Sequence, residues 1–179
     1  MSRILVVDDE ENVREALKRR LEREGYEVDL ASGEREAMEA AAKSNLSYDV
    51  IVTDMLMETA DSGLEVLKVA TARDAFTEVI VLTAYGNIAN AVECMRRGAF
   101  DYVEKNIPGV DVFELLTIKI NQALERRGVA MSAFKTMQES ALGIPWVEEA
   151  AKAWAKMTGK LPDFDFKAKP PSDKERQVH

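Results

Sequence analysis

One pattern constrains the fold of this chain more than any other. Between Arg3 and Arg127, short runs rich in β-branched and aliphatic residues alternate five times with segments of helical periodicity. The runs are RILVV, YEVDLA, DVIVTD, EVIVLTA and FDYVEK. Strands separated by helices return in the same direction, so the alternation predicts a parallel sheet covered by helices. Val50–Val52 and Val79–Leu82 are continuously apolar, as central strands buried on both faces require. The helical segments read as Glu11–Glu24, Glu34–Lys43, Leu64–Arg73, Ile88–Arg97 and Asp111–Arg127, with Gly25 and Gly98 placed as left-handed C-caps. The expectation is an α/β protein with a doubly wound, five-stranded parallel sheet over residues 1–127.

Beyond residue 127 the character changes. VAMSAFKTMQESALG is weakly amphipathic, so the fifth helix either continues or restarts there. IPWVEEAAKAWAKMTG then places Trp146, Ala150, Trp154 and Met157 along one face, with Pro145 suited to a first turn and Gly159 to a stop. A helical extension is therefore expected over 128–160, and an extended or disordered tail over 161–179, where proline and charge show no period.

Charge and composition exclude several classes. Residues 1–127 carry 16 Lys+Arg against 25 Asp+Glu, and residues 128–179 carry 8 against 7. Neither part has the basic excess that binding a phosphate backbone relies on, so direct DNA binding is not expected. No apolar stretch approaches the roughly 20 residues of a membrane span, and the N-terminus lacks the basic-then-apolar pattern of a signal peptide. A cytoplasmic protein is expected. The single cysteine, Cys94, cannot pair internally and reads as a buried, inert thiol. The single histidine is His179, which leaves no histidine-based catalysis to argue.

In a doubly wound sheet the carboxyl ends of the strands share one crevice, so the residues that end the strands describe a site. Here they are Asp8 and Asp9, Asp54, Thr83 and Lys105. Three converging carboxylates repel unless they hold a cation or take up protons. An all-oxygen donor set that keeps waters suits Mg2+. With a lysine and a hydroxyl beside it, such a site has the parts that phosphoryl transfer uses, and Asp54, ending a central strand, is the best-placed nucleophile. Glu10 and Glu11 are read more simply as acidic residues favoured at a helix start.

These residues carry a resemblance. ILVVDDEENVREALKRRLEREGYEV, DVIVTDMLM, VIVLTAYGN and GAFDYVEK are similar, in order and spacing, to the receiver domain of bacterial two-component response regulators, a flavodoxin-like (βα)5 fold. LTAYGNIANAVECMRRGAFDYVEK resembles receivers of the nitrogen-regulation class. The resemblance implies a phospho-acceptor switch rather than an enzyme in the ordinary sense. A sensor histidine kinase would donate a phosphoryl group to Asp54 with Mg2+ bound by Asp8, Asp9, Asp54 and the Leu56 backbone carbonyl. Thr83 and Tyr102 would form the switch pair, Lys105 would pair with Asp54 or the phosphoryl group, and signalling would run through protein contacts. The resemblance makes a homodimer through the helix 4, strand 5 and helix 5 face one possibility, and an extension of the fifth helix over residues 129–159 into a dimerising arm is the alternative.

Two departures from the family pattern lie at the site. Lys105 is followed by Asn106 where the family has proline after a cis bond, and Pro108 comes later. A cis bond before a non-proline residue costs about 2.5–4 kcal/mol, against about 0.5–1 before proline, so a trans bond is expected and the placing of Lys105 is in question. After Asp54, Glu58 stands for the usual proline and Gly63 comes one position late, which makes that loop longer and more acidic. These departures motivate the alternative of a receiver-like binding or scaffold module that no longer switches. A phosphatase of the haloacid dehalogenase type needs Asp-x-Asp after its first strand, and Glu10 breaks that pattern. A flavin-type phosphate site fits less well, since the first loop presents four negative charges.

Overall fold

The computed structural model describes residues 1–42, 47–57, 62–84 and 88–141. Five strands, β1 (Arg3–Val7), β2 (Glu27–Ala31), β3 (Val50–Asp54), β4 (Glu78–Thr83) and β5 (Asp101–Glu104), alternate with five helices, α1 (Glu11–Arg23), α2 (Glu34–Ala42), α3 (Ser62–Arg73), α4 (Ile88–Arg96) and α5 (Val112–Ala141). The strands form one parallel sheet in the order β2-β1-β3-β4-β5. This is the flavodoxin-like α/β architecture that the alternation predicts.

Alternate residues of each strand serve opposite faces, which divides the core in two. Ile4, Val6, Val50, Val52, Ile80 and Leu82 pack with Leu17 and Leu21 of α1 and Leu116, Ile120 and Ala123 of α5. Leu5, Val7, Ile51, Val79 and Val81 pack with Ala37 of α2, Leu64, Leu67 and Ala70 of α3, and Cys94 of α4. Cys94 is fully buried, and burial raises its thiol pKa. The central strands β3 and β4 are buried at every position, which explains why their sequences show no polar alternation.

The helix ends also follow the sequence. Gly25 and Gly98 adopt positive φ. Around them Gly25 N–H donates to the Glu22 carbonyl and Tyr26 N–H to Leu21, and Gly98 N–H donates to Met95 and Ala99 N–H to Cys94. Both ends are Schellman motifs.

At the C-terminal side, α5 runs through Gly128 without a break to Ala141, so the restart considered for residues 128–141 does not occur. Packing and ion pairs anchor this overrun. Arg127 is buried, with Nε 2.9 Å from Asp49 and Nη2 3.1 Å from Asp74. Arg126 pairs with Glu78 and lies over the Phe100 ring at 4.6 Å. Phe134 meets Phe76 edge-on, with ring centroids 5.6 Å apart. The expected helix around Trp146 and Trp154 and the expected tail after 160 lie outside the described residues.

Candidate functional site

The strand order reverses direction between β1 and β3: the chain leaves β1 for β2 on one side, while β3 pairs with β1 on the other. Loops at such a point diverge and leave a crevice at the carboxyl ends of the strands. Asp8 and Asp9 follow β1 and Asp54 ends β3, so all three reach that crevice. One carboxylate oxygen from each lies within 4.8 Å of the others. Asp8 and Asp54 are buried and Asp9 is exposed, which gives the cluster an inner wall and an open side.

Lys105 closes the inner wall. Its Nζ donates to Asp8 Oδ2 at 2.6 Å and to Asp54 Oδ2 at 2.5 Å. The bond before Asn106 is trans, as the described residues contain no cis peptide. The departure from proline therefore leaves Lys105 at the site. Its backbone explains how: Lys105 N–H donates to the Thr83 carbonyl at 2.6 Å, extending the β4–β5 ladder one residue past the end of β5. That bond sets the lysine's direction before the loop turns away.

The remaining oxygens are held by backbone amides. Asp8 Oδ1 accepts from the Glu10 N–H at 2.9 Å, and Asp54 Oδ1 accepts from the Leu56 N–H at 3.2 Å. Glu10 is the residue before α1 and Glu11 lies in its first turn, so these two acids serve the helix start. Burial pushes the Asp8 carboxyl above its ordinary pKa, and this outweighs the opposing bonds from Lys105 and the Glu10 amide. For Lys105, burial pulls the ammonium down, but its hydrogen bonds to Asp54 and Asp8 outweigh it and raise the pKa.

Thr83 ends β4 and is buried. Tyr102 is half-buried and packs against the core face shared with α3 and α4. Val81 is paired with Tyr102, and Thr83 lies two residues further on the same face of the sheet. Leu56 is exposed beyond β3, two residues from Asp54.

Two residues have roles in this neighbourhood that the sequence did not reveal. Arg14, one turn into α1, donates from Nη1 to the Asp8 backbone carbonyl at 2.5 Å and so braces the loop carrying Asp8 and Asp9. Its only sequence signal was a basic residue one helical turn after four acids. Gly63, in the first turn of α3, packs against the backbone of the third strand's end. A Cβ there would stand 2.6 Å from the Asp54 carbonyl oxygen and 2.8 Å from Met55 Cα. Its N–H donates to the Met55 carbonyl at 3.2 Å. The late glycine thus supplies a close approach of helix to strand.

The donor set fits a hard divalent cation. Three carboxylates and one ammonium leave the cluster two negative charges in excess, all donors are oxygen, and the exposed side leaves room for water.

Comparison with known proteins gives a consistent picture. The family model described as "Response regulator receiver domain" matches residues 4–117. The regulatory protein AtoC of Escherichia coli is 40% identical over 105 residues, 59% of this chain and 22% of AtoC. The transcriptional regulatory protein ResD of Bacillus subtilis is 38% identical over 133 residues, 74% of this chain and 52% of ResD. This chain thus spans about half of one relative's length and about a fifth of the other's. Among solved structures, the response regulator TrrA of Thermotoga maritima, in complex with Mg2+-BeF, is 37% identical with a TM-score of 0.58, covering 69% of this chain and 100% of TrrA.

Proposed function

Because the chain belongs to the response regulator receiver family, we propose that Asp54 accepts a phosphoryl group from the phosphohistidine of a sensor histidine kinase. Receivers are signalling switches rather than enzymes that turn over an external substrate. The observation that carries this reading is the meeting of three carboxylates within 4.8 Å, two of them bridged by one lysine.

Asp8, Asp9 and Asp54, with the Leu56 carbonyl, would hold Mg2+. Bound there, the ion would neutralise the charge that nucleophile and phosphoryl group bring together. Asp54 attacks phosphorus through one carboxylate oxygen: a P–O bond forms, the P–N bond to histidine breaks, and the imidazole leaves with the electron pair. Burial of Asp54 on the inner side of the cluster limits the line of approach to the open side, where Asp9 lies. Lys105 holds Asp54 before transfer and then pairs with a phosphoryl oxygen. Thr83 donates its hydroxyl to another, and Tyr102 turns inward beside it. The new group adds about −1.5 to −2 charge, enough to reorder the loops at the strand ends.

Output runs through protein contacts. The α4–β5–α5 side carries Ile88 and Val92, 84% and 51% exposed, one turn apart on α4. A partner protein or a second copy of the chain meets that edge.

A small phosphoramidate with Mg2+ tests the acceptor role. Wild-type protein is expected to become labelled and Asp54→Asn to remain unlabelled. Equal labelling of the two would refute the assignment.

A further inference from the structure

Away from the carboxylate cluster, the overrun of α5 forms one wall of a groove of about 760 Å3. Val129, Ala130 and Ala133 line that wall, and Phe76, Met95 and Ala99 line the other. Val129 is 66% exposed and Met95 46%, so this apolar surface has no cover among the described residues. Of the charges at the groove, Glu78 and Arg126 are paired with each other, while Glu125 and the polar Gln122 are exposed on the α5 side. The rest of the lining is apolar or glycine, which suits an occupant with an apolar face.

We propose that the occupant is this chain's own segment 146–157, folded back along α5 as the second helix of a hairpin. Three observations commit to it over other partners. The chain continues from Ala141 with Leu142-Gly143-Ile144-Pro145, a four-residue link that contains a C-cap glycine and a first-turn proline. Helix–helix hairpins are joined by about 2–5 residues. Antiparallel helices with a common rise per residue then bring Ala150 level with Met137, Trp154 level with Ala133, and Met157 level with Ala130.

The facing stripes are complementary in size. On α5 the stripe reads Arg126, Ala130, Ala133 and Met137, at spacings of four, three and four. On the segment it reads Trp146, Ala150, Trp154 and Met157. Large residues meet small ones at every level from Met137 down, which lets the two backbones approach and seats Trp154 against the alanines that widen the groove. Tethering through a short link also gives the segment an effective concentration that a separate partner must exceed. This docking adds to the acceptor role of Asp54 and stands without it.

The chain reports on itself, because both of its tryptophans lie in the segment. In the 179-residue protein, tryptophan emission should be blue-shifted and shielded from acrylamide relative to a free peptide of residues 142–160. Neither property should depend on protein concentration. Ala133→Asp and Met95→Asp, on opposite walls, should each shift the emission red and abolish the shielding, while far-ultraviolet circular dichroism keeps its α/β shape. Emission that matches the free peptide in wild type, or that both variants leave unchanged, would overturn the proposal. Shielding that is lost on dilution together with a fall in molecular mass would also overturn it, and would assign the groove to a second copy.

Discussion

Lys105 donates to Asp54 at 2.5 Å across 51 residues of sequence, and it does so from a trans peptide followed by asparagine. The link rests on the last rung of the β4–β5 ladder rather than on a proline turn. Lys105→Met should therefore leave the fold intact but free two carboxylates of their shared cation. We expect the metal-free protein to lose roughly 1–3 kcal/mol of stability. Mg2+ should bind more tightly, because the cluster becomes more negative, while labelling by a phosphodonor slows. Calorimetric titration with Mg2+ checks the sign, and weaker binding in the variant would contradict it.

The pH dependence of the metal-free protein follows from Asp8. Its folded pKa is raised above the ordinary 3.8, first by burial. The folded state thus holds a proton that the unfolded state releases, and the stability linked to Asp8 is complete below 3.8 and is lost as pH rises through the folded value. Urea unfolding in the presence of a chelator should show this gain on mild acidification, and Asp8→Asn should remove it. Mg2+ affinity should run the opposite way, falling as Asp8 takes up its proton. Lys105 has the same sign in a higher pH range: its raised pKa supplies stability that is present below 10.5 and lost as pH rises through the folded value.

Gly63→Ala should be more harmful than glycine-to-alanine changes in helices usually are. The added methyl would meet backbone at the end of β3 rather than a flexible side chain. Overpacking of this kind costs roughly 1–3 kcal/mol. Since the clash falls on the Asp54 carbonyl, labelling of Asp54 should slow beyond what the lost stability explains. Thermal unfolding and labelling rates, measured at a temperature where both proteins are folded, separate the two effects.

Arg14→Ala should weaken Mg2+ binding although Arg14 is no ligand. Its guanidinium holds the Asp8 carbonyl at 2.5 Å, and a hydrogen bond to a charged group contributes roughly 1.5–3 kcal/mol. Arg14→Lys should restore part of the affinity. Full Mg2+ affinity in the alanine variant would show that the loop carrying Asp8 and Asp9 is ordered without it.

Most of the fold and the heart of the site could be read from the residues, for a physical reason. Buried parallel strands announce themselves as apolar runs, and the residue that ends each run must lie at the sheet's carboxyl edge. Asp8, Asp54, Thr83 and Lys105 follow from that rule alone. The overrun of α5 was harder to read. Gly128 weakens a helix by about 1 kcal/mol, and it hid the ion pairs of Arg126 and Arg127 and the Phe134–Phe76 contact that hold the helix together. Arg14 escaped notice because a side chain that reaches a backbone carbonyl leaves no periodicity, and Gly63 was noticed only for its position in the loop, because close backbone approach shows only in three dimensions.

The central claim is that Asp54, and no other carboxylate of the cluster, forms the acyl phosphate. Borohydride reduces an acyl phosphate to an alcohol, which converts an aspartyl phosphate to homoserine at its own position. After reaction with a phosphodonor, reduction and proteolysis, mass spectrometry should find homoserine at position 54, only when Mg2+ was present. Homoserine at position 8 or 9, or at 54 regardless of Mg2+, would contradict the account.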